Sequence, residues 1–212
     1  TYTDLYISNA VQQGDASLSP EKNSAFKIGS RYRQTGFSAV LSGFYTHGKN
    51  MIDWVQTTET ELTDSKYHVM NIGKLDNMGF NVDAEIYMNE LLPRCFVTNI
   101  RLGYAYINQS HETETDILKS LYALEYLRHK AVFGLDHKIW SKLSASWSVR
   151  WQQRMNGYHP YTKVDCKVMW NDRKYSVYVK ADNITCHRYY DLSAVKQPGL
   201  WVMAGVSVNL GW

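Results

Sequence analysis

The feature of this 212-residue chain that most constrains its fold is a strict alternation of apolar and polar residues. A period of two places successive side chains on opposite faces of an extended strand. Each alternating segment therefore predicts a β-strand with one apolar and one polar face. In the clearest segment, every second residue from 200 to 212 is apolar.

Nine segments follow this pattern and no convincing amphipathic helix is found, so the sequence predicts an all-β, antiparallel fold of about nine or ten meandering strands. Only the second segment is blurred, because Val40 and Phe44 interrupt its polar face. The segments lie near residues 26–33, 37–46, 80–89, 96–106, 131–139, 142–152, 163–170, 174–182 and 200–212.

The connections between these segments alternate between short turns and longer stretches. The predicted turns are residues 34–35, 90–94, 140–141 and 171–173. The longer connections are about 47–75, 109–124, 156–160 and 185–199. Transmembrane barrels have short periplasmic turns and longer extracellular loops, so this alternation indicates a membrane barrel. A soluble β-sandwich has no reason to keep all its long loops at one end.

Strand length and charge favour the same architecture. A strand of ten residues rises about 33 Å, and a 45° tilt reduces that to about 23 Å, close to the apolar band of about 25 Å in outer-membrane barrels. Charged residues stand mid-strand on one parity, where an aqueous lumen accepts them and lipid would cost about 2–4 kcal/mol for each lysine. These residues are Asp83, Arg101, Asp136, Lys142, Arg150, Lys163, Asp165, Lys167, Lys180 and Asp182.

Composition excludes several other classes of protein. There are 23 basic and 20 acidic residues, and no basic cluster indicates nucleic acid as a partner. Cys95, Cys166 and Cys186 cannot all pair within the chain and form no CxxC motif, so neither a disulfide framework nor a zinc site is predicted. The seven histidines form no HxxxH or HExxH pair, and no nucleophile motif is present. We therefore predict no metal, no cofactor and no catalytic residue.

The predicted strand count indicates a part of a larger barrel. Bacterial single-chain barrels normally have an even number of strands. Nine strands that end in the periplasm would begin outside, so more strands are expected before residue 1. The chain starts at Thr1 without a signal peptide, as a mature protein or an excised fragment would. We expect residues 1–212 to form the C-terminal part of one outer-membrane β-barrel domain.

Several stretches resemble the C-terminal half of TonB-dependent receptors. Residues 2–6, YTDLY, precede residues 14–22, GDASLSPEK, which are similar to the family's "G-N-P-x-L-x-P-E" run. Residues 43–45, GFY, lead to residues 51–54, MIDW, as in the family's "Y-x-x-x-x-x-x-I-D" segment. These similarities cover the first quarter of the chain.

The end of the chain carries further similar motifs. Residues 181–185, ADNIT, resemble "x-x-N-L-x-N", with Cys186 in place of the usual Asn. Residues 197–201, QPGLW, resemble the "P-G-R" entry to the last strand, with Leu200 where Arg is common. Trp212 stands where an aromatic residue ends the barrel. Each motif is short, but their order matches over essentially the whole chain.

The resemblance implies a transporter of the cobalamin- or siderophore-uptake type in the outer membrane of a Gram-negative bacterium. Such a receptor has a 22-stranded barrel and an N-terminal plug domain, and the TonB system energises uptake through that plug. The plug domain is absent from this chain. The implied partners are outer-membrane lipid, the barrel-assembly machinery, the TonB system through the missing plug, and a small nutrient chelate.

Two sets of residues are predicted to carry function. The first set lies in the long connections, which would face outside and so supply ligand contacts. Its members are Trp54, His111, Tyr158 and His159. The second set is the alternating terminal strand, which resembles the signal that the barrel-assembly machinery reads. Its members are Val206, Val208, Leu210 and Trp212.

Two other functions remain open at this level. A small porin or adhesin barrel without a plug would show the same alternation. A soluble β-sandwich that binds carbohydrate or protein would also have strands with one apolar and one polar face.

Overall fold

A computed structural model of the chain describes residues 1–113, 116–121, 127–155, 159–192 and 195–209. In chain order its elements are α1 (Tyr2–Tyr6), β1 (Gln12–Gln13), β2 (Lys22–Gln34), β3 (Phe37–Lys49), β4 (Ile52–Thr57), α2 (Thr58–Thr63), β5 (Tyr67–Asn71), β6 (Lys74–Tyr87), α3 (Met88–Leu91), β7 (Val97–Glu112), β8 (Ile117–Ser120), β9 (Leu127–Trp140), β10 (Leu143–Arg154), β11 (Tyr161–Asn171), β12 (Tyr175–Asp182), β13 (Tyr190–Leu192), β14 (Val195–Lys196) and β15 (Trp201–Val208).

Nine long strands form one sheet, the main sheet, in the order β2-β3-β6-β7-β9-β10-β11-β12-β15. Every neighbouring pair in it is antiparallel. This arrangement confirms the predicted all-β meander and its strand number. Within the described residues β2 and β15 are the two edges and do not pair with each other, so the sheet is an open portion of a barrel wall.

The strand register joins the apolar parities of neighbouring strands into one face, called here the apolar face. Residues directly opposite each other on adjacent strands point to the same side of a sheet. Leu41 lies opposite Val82, which lies opposite Tyr104, and the row continues through Ala131 to Trp151. The alternation read from the sequence is therefore a property of the whole sheet.

The apolar face is open along the width of the main sheet. Ile28 near one edge is 66% exposed and Val206 near the other edge is 67% exposed. Within the described chain no second sheet packs on this face, as it would in a β-sandwich. The main sheet is thus a single layer with its apolar side outward.

The opposite face of the main sheet, called the polar face, carries the charged parity. Asp83 and Val40 lie opposite each other on it, so Val40 does interrupt this face as the sequence predicts. Ion pairs between neighbouring residues hold several of its side chains. Their nitrogen–oxygen distances are 3.0 Å for Arg101 and Asp136, 2.9 Å for Lys180 and Asp182, and 3.4 Å for Lys163 and Asp165.

Short turns close the main sheet at one end, the short-turn end. Gln34 pairs with Phe37, so the first turn lies one residue later than the sequence predicts. Gly36 has a φ of +74°, which favours glycine, and its N–H donates to Glu90 Oε2 at 2.8 Å. This bond ties the β2–β3 turn to the short helix α3.

The β9–β10 and β11–β12 turns are also tied together. Lys142 Nζ donates to Asp172 Oδ2 at 2.7 Å, and the N–H of Asn171 donates to the carbonyl of Lys142 at 2.8 Å. The Lys142 ammonium, followed by the N–H of Arg173, holds the pKa of Asp172 below its ordinary value of 3.8. The short-turn end is therefore ordered by polar contacts between neighbouring turns.

Elements within the long connections depart from the sequence prediction. Residues 52–57 and 67–71, predicted as loop, form strands β4 and β5. Three helices of 5, 6 and 4 residues also occur, although the sequence predicts no helix. A helix of one or two turns is too short to leave a clear periodicity in the sequence. None of the helices in the described ranges has the length and apolar character needed to cross a bilayer.

Candidate functional site

The long connections gather at the other end of the main sheet, called the long-connection end. Because successive strands are antiparallel, every second connection must emerge at the same end. The connections at this end include residues 1–21, 50–73, 116–121, 159–160 and 183–192. The predicted segregation of long loops from short turns is confirmed.

Three of these segments build a second sheet, the cap sheet, in the order β1-β5-β4-β8. Its members come from the segment before β2, the β3–β6 connection and the β7–β9 connection. β4 and β8 join the last two, and the N–H of Leu121 donates to the carbonyl of Trp54 at 3.0 Å. Connections that are far apart in sequence are therefore bonded into one unit.

The cap sheet has a buried apolar core, unlike the apolar face of the main sheet. Val55 is fully buried, and Trp54, Val69 and Ile72 are also buried. Burial of a whole valine or isoleucine side chain stabilises a fold by about 1.5–3 kcal/mol. The cap sheet is therefore packed in the manner of a water-soluble domain.

Buried polar groups fix the pairing of β4 with β8. The carboxylate of Asp53 is buried and accepts a short hydrogen bond from Ser120 Oγ, and its other oxygen accepts the N–H of Trp54 at 2.7 Å. Lys119 Nζ donates to Gln56 Oε1 at 2.9 Å. Breaking one partner of a buried hydrogen bond leaves an unsatisfied group, which disfavours separation of the two strands.

The segment before β2 is fastened to the cap sheet through Asp4. Trp54 Nε1 donates to Asp4 Oδ1 at 3.2 Å, and the N–H of Asp15 donates to the carbonyl of Asp4 at 3.0 Å. This leaves Tyr2 and Tyr6 on the exposed side of α1, with ring centroids 4.8 Å apart. Exposed tyrosines held on an ordered segment are common in binding surfaces.

The cap sheet joins the main sheet at a paired bend. Asn50 and Gly73 have φ values of +52° and +97°, and the N–H of Met51 donates to the carbonyl of Gly73 at 3.0 Å. A Cβ on Gly73 would lie 2.3 Å from the carbonyl oxygen of Glu112, so this position requires glycine. The β4–β5 hairpin is thus a bent continuation of β3 and β6.

Asp64 orders the return of the chain from α2 to β5. The N–H of Lys66 donates to its Oδ1 at 3.0 Å, and His68 Nε2 lies 3.0 Å from its Oδ2. These contacts, the Lys66 N–H first, lower the pKa of Asp64 below its ordinary value of 3.8. The carboxylate is therefore ionised at neutral pH and fixes this part of the long-connection end.

The connection after β12 is organised by Asn183. This residue is 1% exposed and has a φ of +54°, a conformation that asparagine tolerates better than most residues. Its Nδ2 donates to the carbonyls of His187 and Pro198 at 2.9 and 3.2 Å, and its Oδ1 accepts the N–H of His187 at 3.1 Å. One side chain therefore closes the 183–198 connection.

Asn183 was not among the predicted functional residues, although the ADNIT motif contains it. Its buried contacts could not be read from the motif because the partners are backbone groups up to 15 residues away. Nearby, the rings of Tyr161 and Tyr189 stack at 4.6 Å. These contacts hold residues 183, 187, 189 and 198 of the last connection in place at the long-connection end.

A groove of about 530 Å³ crosses the polar face of the main sheet. Asp83 and Glu85 lie on one side of it, and Arg101 and Lys130 lie on the other. Glu85 accepts hydrogen bonds from Asn99 Nδ2 at 2.6 Å and from the Tyr87 hydroxyl at 2.7 Å. The groove has charged side chains of both signs among mostly apolar lining, and these charges suit a polar partner or water.

The predicted ligand contacts differ in their surroundings. Trp54 is 6% exposed within β4, so its predicted position in an open loop is wrong. His111 lies at the end of β7 and not in the loop after it, and it is exposed. His159 is also exposed at the long-connection end, and Tyr158 lies outside the described residues. Ligand binding by these residues stays a prediction.

The predicted assembly signal is described only in part. Val206 and Val208 lie in β15 on the exposed apolar face, opposite Val177 and Tyr175. Leu210 and Trp212 lie outside the described residues. The described part has the alternation expected of a terminal barrel strand, and its recognition by the assembly machinery stays a prediction.

Side chains of the kinds that ligate metals do not cluster in the part of the chain that the structure describes. No group of three or more His, Cys, Asp or Glu side chains there could hold a metal ion. The cysteines Cys95, Cys166 and Cys186 are free thiols.

The chain has the same fold as part of several longer proteins of known structure. The FrpB iron transporter from Neisseria meningitidis matches with a TM-score of 0.68 and 16% identity over 92% of this chain and 31% of its own. The copper transporter OprC matches with a TM-score of 0.70 and 15% identity over 91% of this chain and 32% of its own. The siderophore receptor PirA from Pseudomonas aeruginosa matches with a TM-score of 0.62 and 16% identity over 93% of this chain and 31% of its own.

The chain thus spans about a third of the length of these solved relatives. At such low identity the likeness shows the fold alone. The family model for "TonB dependent receptor-like, beta-barrel" matches residues 1–184, which is most of the chain. The description of this family is that of a receptor-like β-barrel. The sequence motifs, the open antiparallel wall and this match agree, and the chain belongs to the β-barrel part of the TonB-dependent receptor family.

Proposed function

We propose that residues 1–212 form the C-terminal part of the barrel wall of a TonB-dependent importer in the outer membrane of a Gram-negative bacterium. The observation that carries the proposal is the continuous apolar face of nine strands in register, which is left open to its surroundings. Apolar surface of this extent is unfavourable in water and stable against acyl chains. The family's architecture supplies the remaining strands, to a total of 22, and an N-terminal plug.

The polar face would then line the inside of the barrel. Its mixed charges and its groove suit contact with water and with a polar plug domain. Energy would reach this segment only through the plug, which the TonB system pulls on. Residues 1–212 alone are therefore expected to bind no TonB and to perform no energised transport.

The carried nutrient is proposed to be a small chelate, with an iron–siderophore complex favoured and cobalamin as the alternative. Support for iron comes from the printed functions of two of the structural relatives, an iron transporter and a siderophore receptor. The long-connection end would receive the chelate. His111, Tyr158 and His159 are the proposed contacts there, and Trp54 would act by supporting the cap sheet beneath them.

The terminal strand is proposed to be read by the barrel-assembly machinery. Val206 and Val208 would present the apolar parity, and Leu210 and Trp212 would complete the signal. Removing the last aromatic ring by Trp212→Ala is expected to lower the amount of folded receptor in the outer membrane. Trp140→Ala is the matched control, because it removes an exposed aromatic ring of β9 and leaves the terminal strand intact.

Spin labels on the complete receptor test the orientation of the wall. Single cysteines at Val164, Val177 and Val206, introduced after Cys95, Cys166 and Cys186 have been replaced by serine, are expected to be accessible to oxygen dissolved in lipid. Cysteines at Lys163 and Lys180 are expected to be accessible to a water-soluble nickel reagent. If the first three labels reported burial between protein layers and the last two faced bulk water, the transport proposal would be wrong.

Uptake assays test the ligand class. Cells that carry the complete receptor as their sole importer would be supplied with a ferric siderophore, cobalamin or copper, each radiolabelled. We expect TonB-dependent uptake of the ferric siderophore, reduced by His111→Ala or His159→Ala and unchanged by Leu62→Ala in exposed helix α2. Uptake of cobalamin alone would replace the iron proposal by its alternative, and uptake of copper alone would contradict both.

A further inference from the structure

Three lysines lie side by side at the edge of the apolar face, at the long-connection end. Lys22 of β2 lies directly opposite Lys49 of β3. Gly48 lies opposite Leu75, so the next step along the two strands brings Lys49 opposite Lys74 of β6. Adjacent strands are about 4.8 Å apart, so one row of three ammonium-bearing residues spans about 10 Å.

The lysine row belongs to the apolar face and not to the polar face. Lys22 has the parity of Ile28, which is one of the exposed apolar residues. Lys74 pairs directly with Glu112, and Lys49 has the parity of Tyr45. All three lysines are exposed.

The row stands just beyond the end of the apolar band. Two residues nearer the middle of the strands, the next row on this face holds Ser24, His47 and Asp76. The row after that begins the apolar band with Phe26 and Tyr45, about 13 Å along the strand from Lys22. A surface at this height meets lipid headgroups when the band below it is in acyl chains.

The acidic groups on this part of the face are already engaged. Glu112 Oε2 accepts a hydrogen bond from Lys74 Nζ at 2.9 Å. Asp76 Oδ1 contacts His47 Nδ1 at 2.7 Å and accepts the Tyr45 hydroxyl at 2.8 Å. Among the described residues no ion pair is formed by Lys22 or Lys49. Like charges directly opposite each other on a sheet are destabilising. An anion bound between Lys22 and Lys49 would therefore stabilise this pair.

We propose that Lys22, Lys49 and Lys74 form a binding site for the phosphate groups of outer-leaflet lipid headgroups. This inference rests on the proposed orientation of the wall, with its apolar face in lipid. A lipid fits better than a soluble phosphate because its acyl chains can cover the apolar band, which begins at Phe26 and Tyr45, while its phosphates reach the lysine row. Lysine near an anionic membrane surface gains about 1 kcal/mol, which corresponds to roughly a fivefold change in affinity.

The complete receptor, purified in a neutral detergent, tests the site by titration with diphosphoryl lipid A in mixed micelles. Monophosphoryl lipid A and inorganic phosphate are the comparison probes. We expect diphosphoryl lipid A to bind most tightly, and the double variant Lys22→Gln/Lys49→Gln to weaken its binding by about tenfold or more. The matched control Lys27→Gln/Lys138→Gln removes the same charge from the polar face of β2 and β9 and is expected to leave binding unchanged.

Two results would overturn the inference. Equal binding of diphosphoryl lipid A by both double variants would show that the lysine row does not recognise it. Binding of inorganic phosphate as tight as that of the lipid would assign a soluble anion instead. Circular dichroism confirms that each variant is folded. The spin-label experiment separates the two proposals, because labels that report the expected orientation while lipid binding is insensitive to Lys22 and Lys49 reject this inference alone.

Discussion

The main sheet and the cap sheet place their apolar side chains in opposite environments. In the main sheet apolar side chains such as Ile28 and Val206 point away from the protein and remain exposed. In the cap sheet Val55 and Val69 are packed inside. Both regions are antiparallel β-structure over most of their pairs, and they are joined by the bend at Asn50 and Gly73.

The difference indicates that the two regions suit different surroundings, one apolar and one aqueous. In the proposed orientation lipid takes the place of a core for the main sheet, so one layer of strands is enough and the polar side faces the inside of the barrel. The cap sheet stands beyond the apolar band and has to exclude water from its own interior. Substitutions with the same chemistry are therefore expected to have different effects in the two regions.

The largest effect is expected from a charge on the apolar face of the main sheet. Leu102 lies near the middle of β7 and is exposed on that face. Leu102→Lys in the complete receptor is expected to lower the free energy of unfolding in lipid vesicles by about 2–4 kcal/mol. Ser148→Lys, in the middle of β10 on the polar face, is the control and is expected to change it little. Urea titration measures both, and equal effects would contradict the assigned faces.

A somewhat smaller effect is expected at Asn183. Asn183→Ala removes the hydrogen bonds that close the 183–198 connection and is expected to destabilise it by about 2–3 kcal/mol. Asn183→Gly restores the freedom to adopt a positive φ but not the bonds, so it separates the two contributions. The rate of protease cleavage within this connection measures the loss. Wild-type resistance in the alanine variant would mean that Asn183 does not close the connection.

The buried core of the cap sheet gives the third prediction. Val55→Ala removes two methyl-sized groups from a closed core and is expected to cost about 2 kcal/mol. The amide hydrogens of β4 would then exchange about 30-fold faster, while those of β10 in the main sheet stay unchanged. Leu62→Ala, at an exposed position of the same connection, should change the free energy of opening, as measured by hydrogen exchange, by less than about 0.5 kcal/mol. Faster exchange in both sheets would show that they open as one unit.

The smallest effect is expected at the short-turn end, which has neither lipid nor a packed core. The pKa of the Asp172 carboxyl is lowered by Lys142, so the ion pair contributes stability above the ordinary value of 3.8 and loses it as the pH falls through the lower, folded-state pKa. Lys142→Gln is expected to raise the pKa of Asp172 towards 3.8. Carbon-detected NMR of the carboxyl group measures the shift. An unchanged pKa would mean that the N–H of Arg173 alone holds it down.

Much of the main sheet could be predicted because its pattern is local. A strand in lipid must keep one parity apolar along its whole length, so each of the nine segments carries its own signal. The polar parity of Asp83 and Lys163 followed from the same rule and agrees with the register. The turn positions were right to within one or two residues, because each turn lies where the alternation of a segment stops.

The cap sheet could not be predicted in the same way. Its strands have two to six residues, which is too short for alternation to be recognised. The pairing of β4 with β8 joins residues more than 60 positions apart, such as Asp53 and Ser120. Trp54 was therefore predicted to lie in an open loop, and its burial depends on partners that no local pattern specifies.

By itself the sequence determined which residues form the long strands, which parity of each strand is apolar, and which connections are long. These follow from side-chain periodicity, which acts over neighbouring residues. Only the tertiary structure decided that three segments distant in sequence form one sheet, that Asn183 closes the connection after β12, and that Lys22, Lys49 and Lys74 stand in one row. Each of these depends on the register between strands, and register is fixed by contacts between distant parts of the chain.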